Sequence, residues 1–341
     1  MNLRPAILLA CLLFLVSACE RGGEKAPATP DRATEVSEAT LTQPRPTVTP
    51  ESTRAAEATP RASPQPEPSS TVGPNARSDG LSFYFGASVD DFDRSLIQNA
   101  VRVTRELLGD DSGVEPSIAV FAYDSPTELA QAFSRYALAQ SWRGEGMAER
   151  MSRTIAESSY RGFVINTGLA GWASMDATER LRVVAHEFVH VIQLERAGTD
   201  VADRTLSGAN TEVPPAGPFW LLEGTAEVVS WLVIEELQLG KYADALLNYG
   251  AATRGGSLKL SGLENYFDFS RSGSEGVSLS VLATDYLLRS RSLAELFDFW
   301  TDVRRGASWE TAFTRQFGLP PHFFYAAFAE YYETTWSRVT P

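Results

Sequence analysis

Apolar positions along the chain fall into three regimes. Residues 6–16 (AILLACLLFLV) form one unbroken apolar run. Residues 20–80 show no apolar period and contain no Phe, Trp or Tyr. From residue 81 onward, strand and helix periods take turns. Alternation in residues 81–86 (LSFYFG) predicts a short strand. Residues 90–108 place Phe92, Ile97, Val101, Val103, Leu107 and Leu108 at helical spacing. Residues 117–123 (SIAVFAY) read as a buried strand. Asp124-Ser125-Pro126-Thr127-Glu128 then supplies a cap, an early proline and a first-turn acid, the start of a helix running to about residue 139. A further strand is predicted over 160–166 (YRGFVIN). Strong helices are predicted over 178–197 and, after a Gly/Pro-rich loop at 208–218, over 219–239. From Val277 the pattern is mostly helical, interrupted at Gly306, Gly318 and Pro320-Pro321. Strands come early and helices late, so the expected class is α+β: a small N-terminal strand/helix lobe and a mainly helical C-terminal lobe.

The first regime has the layout of an export signal: Arg4, the short apolar core, then Ser17 and Ala18 before Cys19. The core is too short to span a bilayer, which takes about 20 residues. Val16-Ser17-Ala18-Cys19 resembles the lipobox of bacterial lipoproteins. That resemblance implies acylation of Cys19, a lipid anchor on the cell membrane and an extracytoplasmic location. Residues 20–80 hold ten of the 19 prolines and read as a disordered Pro/Thr/Ser-rich spacer. The expected organisation is therefore 1–19 signal, 20–80 spacer and 81–341 one folded domain, which contains every aromatic residue except Phe14.

Composition narrows the chemistry. A net charge of −13 argues against nucleic acid as a partner, since phosphate binding needs a basic surface. With Cys11 inside the signal and Cys19 acylated, no cysteine remains for a disulfide or a thiolate metal site. Two of the three histidines stand in His186-Glu187-Phe188-Val189-His190. On a helix, positions i and i+4 share a face, so both imidazoles can hold one Zn²⁺. Glu187 lies beside them, placed to carry a proton for an activated water. A zinc site needs a third protein ligand. His322 is one candidate, flanked by Pro321 and Phe323. The stronger one lies in the 219–239 helix, where Glu223 and Glu227 sit at i and i+4 among apolar residues. Unpaired carboxylates there would be costly. Glu223 is expected on the metal, and Glu227 on the outer nitrogen of a ligand histidine.

These two segments, His186-Glu187-x-x-His190 and Trp220-Leu-x-Glu223-Gly224-x-Ala226-Glu227, resemble the gluzincin metallopeptidases, and in particular the bacterial peptidase MA-like family. The resemblance implies a zincin-like fold and a zinc peptidase acting on a peptide or protein substrate. Its ligands would be His186, His190 and Glu223, with Glu187 as general base and Glu227 behind the ligands. It also implies that the strand at 160–166 offers its edge to extended peptide. The chain departs from the family in a gap of 32 residues between His190 and Glu223, and in having no tyrosine at 274–278 to stabilise an oxyanion. Tyr266 is the nearest upstream candidate for that role and Tyr249 the next. The alternative expectation is a zinc-containing binding or scaffold lipoprotein without turnover.

Overall fold

A computed structural model describes residues 76–78, 80–109, 118–135, 153–159, 162–198 and 216–336. The expected signal with Cys19, nearly all of the spacer, the end of the helix predicted to run to about residue 139, residues 160–161 of the predicted strand and residues 199–215 lie outside them. The fold is α+β and mainly helical, with one small sheet. Its elements run β1 (Ala76–Ser78), β2 (Leu81–Phe85), α1 (Asp91–Leu108), β3 (Ile118–Tyr123), α2 (Pro126–Arg135), β4 (Ala156–Ser159) and β5 (Gly162–Asn166), then α3 (Ala170–Ser174), α4 (Ala177–Ala197), α5 (Phe219–Glu236), α6 (Tyr242–Ala252), a 3₁₀ turn (Leu260–Leu263), α7 (Tyr266–Leu288), α8 (Leu293–Arg304), α9 (Trp309–Phe317) and α10 (Pro321–Thr335).

The sheet order is β1-β2-β3-β5-β4. β2, β3 and β5 are parallel, while β1 and β4 close the two edges antiparallel. All six residues of β3 are buried, which explains why it reads as a continuous apolar run. Its side chains alternate between two cores. Ile118, Val120 and Ala122 join α1 and α4 in the main core. Ala119, Phe121 and Tyr123 pack with Leu129 and Ala132 of α2. Gly162 allows the β3–β5 pairing, because a Cβ there would lie 2.0 Å from the Ala119 carbonyl oxygen.

Two expectations about strands are corrected. Residues 76–78, assigned to the spacer, form β1 and pair with β2. The strand predicted over 160–166 is an interior strand, paired on both sides. The edge beside α4 belongs to β4. The Ala156–Ser159 stretch (AESS) is short and polar, so periodicity does not reveal it. The helical C-terminal half agrees with expectation, with α9 ending at Gly318 in the left-handed region (φ 81°) and Pro321 opening α10. However, α7 begins at Tyr266, earlier than Val277, and breaks at Gly273 (φ 59°), the one residue in it with non-helical backbone angles. No helix among the described residues is long and apolar enough to cross a membrane.

Candidate metal centre

Helix α4 is held at both ends by its own residues. The Asp176 carboxylate accepts from the Glu179 N–H at 2.9 Å, and Gly198 closes the C-terminus in the left-handed region (φ 66°). Its middle packs against β4, β5, α1, α5 and α8. Helix α5 is buried on nearly all sides, as expected for a helix with so few polar positions. It can approach α7 closely because residue 224 is glycine. A Cβ at Gly224 would lie 2.4 Å from the Ser280 carbonyl oxygen. The neighbouring Glu223 faces the histidines of α4.

The packing brings His186, His190 and Glu223 together, the group among the described residues suited to hold a metal ion. The two Nε2 atoms are 3.0 Å apart. The Glu223 oxygens lie 3.5 Å from His186 Nε2 and 3.6 Å from His190 Nε2. Ligands around a tetrahedral zinc, with bonds of about 2.05 Å, are separated by about 3.3 Å. The donor set fits zinc in number, type and spacing.

The outer nitrogens decide what the inner ones present. His186 Nδ1 faces Glu227 Oε2 at 3.0 Å. A carboxylate only accepts, so Nδ1 carries a proton, and in the neutral ring Nε2 is left to offer a lone pair. His190 Nδ1 faces Gln193 Oε1 at 2.7 Å. The Gln193 amide is oriented by its own donation to the Leu222 carbonyl at 3.0 Å. His190 is therefore also an Nδ1–H tautomer. With both imidazoles neutral, two lone pairs and a carboxylate converge with no donor among them, an arrangement that a cation completes. The same two acids also favour a proton on His186: burial opposes its charge, yet Glu223 and Glu227 outweigh it and push its pKa up to about 10, so a proton and a metal ion compete for Nε2. Burial likewise opposes ionisation of Glu223, but His190 and His186 hold its pKa well below the usual carboxylate range.

Glu227 anchors the second layer. Burial would raise its pKa, but Arg182, His186 and Tyr249 bring it down to about 2. Its Oε1 accepts hydrogen bonds from Arg182 Nη1 and the Tyr249 hydroxyl, and Trp231 Nε1 donates to that hydroxyl at 2.9 Å. Tyr249 is thus committed to supporting Glu227. Burial and the Glu227 charge raise its pKa well above that of a free tyrosine. Glu187 is 4% exposed. Its carboxylate accepts from Ser158 Oγ on β4, and burial raises its pKa despite the two histidines.

The remaining candidates fall elsewhere. Tyr266 opens α7 with its ring 5.2 Å from that of Phe219, one turn before Glu223 on α5. His322 is exposed on α10, its ring against Phe323, and lines a separate 650 Å³ cavity with Trp309 and Tyr325. Sequence reasoning missed Ser158, Gln193, Arg182 and the supporting role of Tyr249. Gln193 and Arg182 do carry a signal, as polar side chains on buried faces of an apolar helix. Ser158 carries none.

No protein-family model and no curated protein matches this chain.

Proposed function

We propose that the chain is a zinc peptidase of gluzincin type with a zincin-like fold. One observation carries this reading: three acceptor groups converge at zinc spacing, with both histidine tautomers set by acceptors behind them. His186, His190 and Glu223 would hold the ion. When bound, zinc supplies Lewis acidity that polarises a carbonyl and makes water a better acid. Glu187 takes up the proton that water releases as its oxygen attacks the peptide carbonyl. It then returns that proton to the amine nitrogen as the C–N bond breaks. Burial raises the Glu187 pKa, the direction that proton cycling near neutral pH requires. Glu227 and Gln193 keep the two imidazoles turned toward the site. Extended peptide would pair with the outer edge of β4, next to α4. The reading also includes a lipid anchor at Cys19 outside the cytoplasm.

A second reading, a zinc-containing binding protein without turnover, is favoured by one observation. Tyr249, a candidate for oxyanion stabilisation, is spent on Glu227.

Metal analysis, acyl labelling and peptide cleavage test these readings together. The expected result is one zinc per chain, label at Cys19 and cleavage of a mixed peptide library that a chelator stops. Glu187→Gln should keep the zinc and lose about 10²–10⁴-fold in turnover. Undiminished cleavage by that variant sinks the mechanism. Zinc without any cleavage selects the second reading.

A further inference from the structure

Ser158 stands on β4, the edge strand packed against α4. Its Oγ lies 2.9 Å from the backbone oxygen of Glu187 and within hydrogen-bond distance of Glu187 Oε2. Among the described residues, no other side chain hydrogen-bonds that carboxylate. A hydroxyl has one proton, so it serves one of these two acceptors at a time. The Glu187 carbonyl already belongs to the α4 hydrogen-bond ladder, but a carbonyl oxygen has a second lone pair.

We propose that Ser158 is a positioning residue for Glu187. Its hydroxyl pins Oε2 in one rotamer. When that carboxylate turns toward substrate, the hydroxyl moves its hydrogen bond to the Glu187 carbonyl. Having a second acceptor is what makes the release cheap. Ser158 is half-buried, so with a single acceptor its hydroxyl would exchange a protein partner for partial hydration each time Glu187 moved, at some cost. The proposal rests on Glu187 carrying the proton.

The test compares the zinc-loaded wild-type protein with Ser158→Ala and Ser158→Thr, measuring kcat, KM, zinc affinity and the Glu187 conformation in crystal structures. In Ser158→Ala, kcat should fall about tenfold, the scale of one hydrogen bond to a charged group. KM and zinc affinity should stay within about twofold, and the Glu187 carboxylate should occupy more than one rotamer. Ser158→Thr restores the hydroxyl and should restore kcat. An unchanged kcat in Ser158→Ala, or no rescue by threonine, overturns the proposal. If the wild-type protein turns over no peptide, the functional reading fails on its own. The Glu187 conformation then still decides the role of Ser158, and a single unchanged rotamer in Ser158→Ala overturns it. Should Ser158→Ala fail to fold, Ser158→Cys, similar in size but a weaker donor, takes its place. A wild-type kcat and a single Glu187 rotamer in that variant count against the proposal.

Discussion

Arg180 and Arg182 leave α4 about 200° apart, as two helical residues must, and each reaches a buried acid. Arg180 Nη1 donates to Asp93 Oδ1 of α1 at 2.8 Å, and Trp172 Nε1 donates to the other oxygen at 2.9 Å. Arg182 donates to Glu227 Oε1 of α5, which also accepts from Tyr249. Both guanidiniums lie over an indole, Trp172 at 5.3 Å and Trp231 at 5.9 Å. The parts are nearly the same, yet the two sites differ in one oxygen. Asp93 spends both oxygens on donors that stay put. Glu227 spends its second on His186 Nδ1, whose other nitrogen faces the candidate metal position. A buried acid satisfied entirely by fixed donors is a staple between helices. One that gives an oxygen to a histidine governs what that histidine can bind.

Three substitutions probe this difference, in descending size. Asp93→Ala leaves the Trp172 N–H without its acceptor and removes the counter-charge of Arg180, which keeps its bonds to the Trp172 and Ala173 carbonyls, and should cost about 3 kcal/mol of stability, measured by denaturant unfolding of the metal-free protein. Zinc affinity, once folded, should be unchanged. Glu227→Gln removes the charge behind His186 and should weaken zinc binding 10–100-fold, about 1.4–2.7 kcal/mol, in a competitive chelator titration. If Asp93→Ala weakens zinc as much as Glu227→Gln does, the contrast between staple and governor is broken. Asp302 marks the lower end of the scale. It is buried, but its partners Arg305 and Arg315 are 71% and 56% exposed, so solvent screens them. Asp302→Asn should cost about 1 kcal/mol at neutral pH. Burial works against ionisation of Asp302, but Gln316 and Arg315 hold its pKa below the usual value. A carboxylate with a depressed folded pKa stabilises fully above its unfolded value of about 3.9 and loses that contribution as pH falls through the folded one. The gap between wild type and Asp302→Asn should therefore close in acid. A gap that persists at low pH would assign the effect to packing instead.

Much of the candidate metal centre was legible in the chain because it is built from local repeats. His186 and His190 share a face of α4 through helical spacing alone, and Glu223 and Glu227 do the same on α5. Two acids in an apolar helix signal buried partners through the cost of leaving them unpaired. Ser158 was not legible, since a serine in a short polar strand resembles any surface serine until the strand is docked. The edge position of β4 was hidden for the same reason. Tyr249 was legible as a tyrosine with a role, but the role is to support Glu227.

The sequence by itself determined the donor types, their order and their pairing on two helices, because helix geometry converts a spacing of four into one face. Only the tertiary structure decided which atoms meet. Ser158 and Glu187 are 29 residues apart, His186 and Glu227 are 41, and Arg182 and Glu227 are 45. Contacts at such separations depend on how α4, α5 and β4 pack, and packing follows from shape and burial across the whole core. Local spacing does not encode it.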